Sequence, residues 1–368
     1  MKIPHLSFYI VLTSFKAFIM KKMLLKFLTV SALVLGGLSL NAQDIHFSQF
    51  YLSPLNLNPA MTGVMNCNVR LVANFRNQWA SVLKSHAYNT YSVSYDQKIP
   101  VGRYDYFGIG GSFWGDKAGR SEFGQLQGKL SASYSKRMGG DRKKAHYLVV
   151  GVDGGVLQRS VDFLNLTWGT QHDGVGGVNT DLPSFENFSR DNVLVPDLAA
   201  GLLWFSVWED NNFYAGGAYH HLNRADVSFD DQIEDQLYSR FTVHAGGEFG
   251  LTRNLGLVPG FVGMIQGPSM EVNTGTSLRI TLHKSRFEYQ ALQFGAWARL
   301  SNRLESGIHT DALILSSRFD YNDFSLGFSY DVNVSDLRPA SNSNGAFEFA
   351  LVYKICGPEK RNVYCPNF

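Results

Sequence analysis

The chain has 368 residues, with 33 Lys+Arg against 31 Asp+Glu, 14% aromatics and 36 glycines. A formal net charge of +2 without a dense basic stripe speaks against a nucleic-acid-binding face. After residue 42 no run of 18 or more apolar residues occurs, which speaks against helical membrane insertion of the remainder.

The first 42 residues read as a secretory leader. Lys21, Lys22 and Lys26 form a basic cluster, Phe27 to Leu40 an apolar run, and Asn41-Ala42 a small-residue exit, so cleavage is expected after Ala42. Met20, followed directly by two lysines, is a more natural start than Met1. Residues 1–42 carry five lysines and no acids, so removing them leaves 33 − 5 = 28 basic against 31 acidic residues, a net of −3 over 368 − 42 = 326 residues. The slight basicity thus belongs to the leader.

Residues 43–68 form the next unit, read as an N-terminal segment in the periplasm. "HFSQFYLSPLNLNPAMTG", from His46 to Gly63, fits neither a helical stripe nor a two-residue alternation. Pro54 and Pro59 fix their own φ and push Ser53 and Asn58 toward extended backbone. Phe47, Phe50, Tyr51 and Leu55 are costly to leave in water. They are expected to pack into the mouth of a barrel or to meet a partner.

From 69 to 355 the pattern is alternation. In "FTVHAGGEF", Phe241, Val243, Ala245 and Phe249 oppose Thr242, His244, Gly246 and Glu248; in "FSLGFSYDV", Phe324, Leu326, Phe328, Tyr330 and Val332 oppose Ser325, Gly327, Ser329 and Asp331. "KLSASYS" and "SLRITLH" behave alike, as half-buried strands do. About fourteen such segments occur, centred near residues 73, 92, 109, 130, 150, 202, 216, 244, 260, 275, 294, 309, 328 and 350. The fold class is all-β: a single transmembrane outer-membrane β-barrel of about 14 antiparallel strands, closed because lipid leaves no unpaired edge affordable.

The polar faces carry Ser, Gly, Thr and Asn rather than the Lys and Glu of a water-facing sandwich, which suits a lumen. A propeller would need a repeat of roughly 40–50 residues, and none is found. Trp79, Tyr104, Tyr106, Trp114, Trp204, Trp208, Phe213, Tyr214, Tyr219, Tyr330 and Tyr353 are expected to form interfacial girdles. Asp96 to Asp105 and Gly250 to Gly256 read as short turns, and Phe163 to Asp197 as one long loop outside the cell or folded into the lumen. Residues 356–368 form a tail in which Cys356 and Cys365 could be bridged.

Catalytic patterns are missing. No G-x-S-x-G, P-loop or H-E-x-x-H is present. The tail cysteines lack the C-x-x-C or nearby histidines of a zinc site. His220 and His221, adjacent in a strand, should point to opposite faces and so not share a metal. "GIGG" at Gly108 to Gly111 lacks the spacing of a dinucleotide loop and reads as luminal or bulge glycine. The expectation is a protein without enzymatic activity, cofactor or metal. Arg70, Arg76, Arg279, Arg299 and Asp331 could instead furnish the charged constriction of a channel.

The opening motif, with His46, Phe47, Ser48, Gln49, Phe50, Asn58, Pro59 and Gly63, is followed by "RLVANFRNQWASV" and, at the far end, by "EFALVYKI" and "YCPNF". In this order they resemble the PorP/SprF family of the type IX secretion system of Bacteroidota. That resemblance implies a Gram-negative outer-membrane barrel serving protein export, surface attachment of exported proteins or gliding motility. It implies as partners the outer-membrane lipid, a secreted surface protein or its C-terminal domain, and other type IX components; it brings no catalytic residue. The residues expected to bind a partner or plug the barrel are His46, Phe47, Ser48, Gln49, Phe50, Tyr51, Asn58, Pro59, Arg76, Asn77, Gln78 and Trp79. The alternative is a porin-like channel for small solutes, which would conduct ions where a plugged barrel would not.

Overall fold

The computed structural model describes residues 44–357 apart from 141–143, 173, 175, 176, 180, 185, 187, 209, 210, 286, 287 and 303–306. The leader and Cys365 lie outside the described residues. The rest forms a closed barrel of fourteen strands, each antiparallel to its sequence neighbours: β1 Val69–Gln78, β2 Tyr88–Val101, β3 Asp105–Ala118, β4 Phe123–Gly140, β5 Lys144–Ser160, β6 Asn192–Trp208, β7 Asn211–His220, β8 Arg240–Gly250, β9 Leu255–Gln266, β10 Ser269–Lys284, β11 Tyr289–Asn302, β12 Ile308–Tyr321, β13 Phe324–Asn333 and β14 Asn344–Ile355. Every alternating segment read from the sequence lies in one of them.

Closure is made by β1 against β14, in register from Val69↔Ile355 to Gln78↔Ala346. The two-residue period then sorts side chains by chemistry. Along β8, Phe241 and Val243 face outward and are exposed, while Thr242 and His244 are buried inside; β13 repeats this with Phe324, Leu326 and Phe328 outside and Ser325, Ser329 and Asp331 inside. An apolar exterior with a hydrogen-bonded wall is what hydrocarbon requires. No described helix is long and apolar enough to cross a membrane; this chain crosses with strands.

Several expectations need correction. Cys356 is bridged to Cys67, not to Cys365, with Cα atoms 4.3 Å apart. The register of β1 on β14 is the reason: it sets the residues just before Val69 beside those just after Ile355. The long connection spans 161–191, because Asn192 to Asp197 extend the β5–β6 ladder, with Gly155 paired to Asp197. Likewise Asp96 to Val101 belong to β2, and only 102–104 turn. Tyr106, Trp114 and Tyr214 are not girdle residues: strand parity turns them into the lumen, where they are buried.

The two ends of the barrel differ. At the end holding Val69 and Ile355, the terminus end, connections run from two to four residues; at the other, the loop end, they reach 79–87, 161–191, 221–239 and 334–343. The two longest pack together. Phe163 stacks on Phe188 at 3.9 Å between centroids and meets Phe229 edge-on, and Arg190 pairs with Asp231 at 2.8 Å.

Candidate functional site: a luminal segment held by the barrel wall

Residues 44–66 do not lie at the barrel mouth. They run through the lumen from the terminus end, where Lys98 Nζ donates to Met65 O (3.0 Å), to the loop end, where Asp44 N donates to Gln266 Oε1 (2.9 Å) on the last residue of β9. The prolines shape the path. Pro54 opens the helical turn Pro54–Leu57, and Pro59 opens the 3-10 turn Pro59–Met61, each at a position whose missing N–H costs nothing. Asn58 is extended between them and caps the second turn, its Oδ1 accepting from Ala60 N at 2.8 Å.

The inner half of the segment is packed. Asn58 is fully buried, and its Nδ2 reaches Leu202 O (3.1 Å), Gly217 O (3.2 Å) and His244 Nε2 (3.0 Å). Phe50, Leu57, Ala60, Met61 and Val64 join a buried cluster with Tyr106, Tyr147, Phe205, Tyr214 and Trp297. Tyr51 stacks on Trp297 at 5.4 Å. Luminal glycines make room for this backbone. A Cβ on Gly151 would stand 2.5 Å from Ala60 Cα, and one on Gly108 would stand 2.6 Å from Thr62 C. Gly63 has φ +71°, the left-handed region open to glycine, and its N–H donates to Asp96 Oδ2 at 2.7 Å. Replacing Gly151 with Val is therefore expected to cost about 1–3 kcal/mol by overpacking, with the loss read as a lower unfolding temperature; an unchanged temperature would mean that the segment does not rest on β5.

The outer half is held by charge. Glu348 accepts two successive backbone N–H groups, Ser48 N at Oε1 (2.6 Å) and Gln49 N at Oε2 (3.0 Å). Ser48 Oγ donates to Asp331 at 2.9 Å, and Arg76 donates to Ser48 Oγ at 2.7 Å. Arg299 also contacts Ser48 Oγ and pairs with Asp331 at 2.8 Å, while Arg76 pairs with both Asp331 (3.1 Å) and Glu348. Both arginines are only 3% exposed, so these charges are compensated by one another rather than by water.

A second charged knot holds Asp44. His221 bonds Asp197 Oδ1 through Nδ1 (2.7 Å) and Asp44 through Nε2; Arg240 lies 3.3 Å from Asp44, and Lys129 lies 2.9 Å from Asp197. The expectation that His220 and His221 face opposite ways is overturned: β7 stops at His220, and His221, at φ +56°, turns inward as well. Among the described residues no group of three or more His, Cys, Asp or Glu could hold a metal ion. Burial alone would lower the His221 pKa, but the Asp44 and Asp197 carboxylates outweigh it and raise it from 6.5 to about 9. Burial would raise Asp44, but His221 and Arg240 hold it well below 3.8. The sign follows. The raised His221 stabilises fully below pH 6.5 and loses its contribution as pH climbs through about 9; the depressed Asp44 stabilises above 3.8 and fails as pH falls through its lower folded value. Protease cleavage near residue 44 is thus expected to accelerate between pH 7 and pH 10 in the intact chain, and much less in His221→Gln.

The candidate residues divide between inside and outside. His46, Phe47, Ser48, Gln49, Phe50, Asn58 and Pro59 are within the lumen, with Tyr51 half-buried there. From the Arg76–Trp79 block only Arg76 joins the charged clamp. Gln78 Oε1 accepts from Arg76 at 3.3 Å, Asn77 bonds Asn89 across the ladder at 2.7 Å, and Trp79 ends β1 in a left-handed turn. Arg70, read as a channel charge, instead clamps Asp96 (2.8 Å) and Met61 O (3.1 Å). Glu348, Gly151 and the role of Asp96 escaped the sequence reading, which took Gly108 as luminal or bulge glycine without seeing the backbone it admits. Their one signal was their parity: charges and glycines on the polar face of strands whose other face is apolar.

An apolar-walled fourteen-stranded barrel with a filled lumen is a protein of the outer membrane. The chain belongs to the type IX secretion system membrane protein PorP/SprF family, whose pattern matches residues 39–353. It is thus a membrane component related to secretion, and the family is not a known enzyme class. Among solved structures it is similar to the toluene transporter TbuX of Ralstonia pickettii, with 12% identity, a TM-score of 0.42 and coverage of 83% of this chain and 94% of that one. It is also similar to CdiB from Acinetobacter baumannii (9%, TM-score 0.42, 78% of this chain) and from Escherichia coli (8%, TM-score 0.40, 77% of this chain). The chain spans 60% and 63% of those two CdiB chains. No curated protein matches it.

Proposed function

We propose that this barrel binds and anchors a secreted cell-surface protein, through that protein's C-terminal domain, and works beside other type IX secretion components. Gliding motility is one setting that such an anchor serves. The observation that carries this reading is the filled lumen: residues 44–66 occupy the space through which a porin would pass solutes, which weighs against the channel alternative.

The loop end supports the same reading. Outer-membrane barrels keep short turns in the periplasm and longer loops outside, so 161–191 and 221–239 face the exterior. The two loops form one packed surface, yet Leu164 is 96% exposed and Ile233 62% exposed.

The test is a pull-down of the epitope-tagged protein from solubilised outer membranes, run in parallel with a chain in which Asn58, Pro59 and Arg76 are replaced. The expected result is recovery of a large secreted protein or secretion components by the intact chain and their loss from the altered one. Recovery of the barrel alone, together with steady bilayer conductance, would put the channel reading in its place.

A further inference from the structure

The two halves of the luminal segment are built differently. The inner half ends at a covalent anchor, the Cys67–Cys356 bridge, and packs with Ala60, Met61 and Val64 at no measurable exposure. The outer half, 44–49, lies toward the loop end, where Asp44 N donates to Gln266, and is gripped mainly by side chains. Apart from the Asp44 carboxylate, held by His221 and Arg240, and His46 beside Glu271, what those side chains grip is common to other peptides: two successive N–H groups on Glu348, one hydroxyl on Asp331, and the carbonyl of Ser48 on Asn273 Nδ2 at 3.3 Å.

The side chain after that hydroxyl fits poorly. Gln49 is 1% exposed, yet neither Nε2 nor Oε1 of its amide has a hydrogen-bond partner among the described residues. Asn273 Oδ1 and His46 Nε2 are buried nearby in the same condition. A buried amide without partners is costly, and an apolar side chain at that position would not carry the cost. This is the pattern of a clamp for peptide backbone whose present occupant is an imperfect ligand.

We infer that residues 44–49 are a releasable occupant of a peptide-binding site at the loop end, and that the site receives an extended peptide of another chain carrying a hydroxyl residue followed by an apolar one. Two features define the specificity. The hydroxyl meets Asp331, Arg76 and Arg299, as Ser48 does now. An apolar side chain in place of Gln49 would pack against Gly327 and Leu52 without burying an unpaired amide; Gly327 is the close neighbour there, a Cβ on it standing 2.5 Å from Gln49 Oε1 and from Leu52 Cδ1. The inference rests on the anchoring reading, for which it names the point of capture: the exported protein's segment enters from outside, displaces 44–49, and leaves the inner half in place to keep the barrel closed.

The probe is a labelled synthetic peptide, Asp-Ile-His-Phe-Ser-Gln-Phe, with a second peptide carrying Met in place of Gln. Both are titrated into the purified intact chain, a chain lacking residues 44–49, and that shortened chain with Glu348→Gln. Saturable binding to the shortened chain is expected, about tenfold tighter for the Met peptide and about tenfold weaker with Glu348→Gln. In the intact chain, excess Met peptide should speed amide hydrogen exchange at Ser48 and Gln49 while Ala60 and Met61 stay protected. Absence of saturable binding to a shortened chain that retains its folded-barrel gel mobility overturns the inference. If shortening prevents folding, the intact chain decides: exchange at Ser48 and Gln49 unchanged by excess peptide overturns it equally. Peptide binding without any exported protein in the pull-down upholds the site and removes the anchoring reading. Recovery of an exported protein by full-length Glu348→Gln as by the intact chain upholds anchoring and removes this site.

Discussion

Deleting residues 44–64 is expected to turn a barrel that passes no steady current into one that conducts in a planar bilayer. Fourteen strands enclose an interior wider than wall side chains fill, since the interior of an eight-stranded barrel is just filled by them. Here the remaining space is taken by the segment. Phe50, Leu57, Ala60, Met61 and Val64 complete a single buried cluster with Tyr147, Phe205 and Trp297 from the wall. Without it, the wall would present Arg70, Arg76, Arg299, Asp96, Asp331 and Glu348 to the empty space, and a charged lining draws water. Keeping Met65 to Cys67 retains the bridge to Cys356 and so the closed seam. A deleted chain that folds but stays silent would show that the wall closes by itself, and the segment would lose its standing as the closing part.

Arg76→Ala should be the most destabilising single change in the lumen, by about 3–5 kcal/mol, the usual result of removing one partner from a buried ion network. Arg76 bridges Glu348 and Asp331 and also holds Ser48 Oγ. Its removal leaves Glu348 without an ion-pair partner among the described residues, while Asp331 keeps Arg299. Arg76→Lys keeps the charge but not the fork that reaches two carboxylates at once, so it should recover only part of the loss. The measurement is the denaturant midpoint of barrel unfolding, followed by the shift in gel mobility. A loss below about 1 kcal/mol for Arg76→Ala, the range of solvated surface pairs, would mean that water reaches the clamp.

How far the fold was legible follows from one period. Alternation in "FTVHAGGEF" or "FSLGFSYDV" states which residues share a face, and a strand in lipid can sort its faces only one way, so the barrel and its number of strands were readable. The aromatics divide by the same rule. Tyr219 sits on the outer face, while Tyr106, Trp114 and Tyr214, equally aromatic and also in strands, fall on luminal parity and become part of the segment's packing. Reading composition without parity misplaced them. His221 was misplaced for the opposite reason: parity was applied one residue beyond the end of β7, where a left-handed turn cancels it.

The luminal segment was half visible. Two prolines and a run of aromatics said that residues 46–63 were neither strand nor disordered tail, and Pro54 and Pro59 do open its turns. Which way it runs, and what it touches, depend on partners 200 to 300 residues away, such as Gln266 for Asp44 and Glu348 for Ser48. The same distance hid the disulfide. Cys356 and Cys365 are close along the chain, whereas Cys67 and Cys356, 289 residues apart, become neighbours only when β14 closes on β1.

By itself the sequence determined the strands, their apolar exterior and the irregular, proline-shaped segment before them, because these follow from local stereochemistry and a two-residue period. Only the tertiary structure decided that the segment fills the lumen, that Gly108 and Gly151 exist to admit its backbone, and that Arg76, Arg299, Asp331 and Glu348 form one clamp. The physical reason is closure. Each of those groups sits on a different strand, and bending fourteen strands into a ring is what brings them to a common interior where a charge must find a charge.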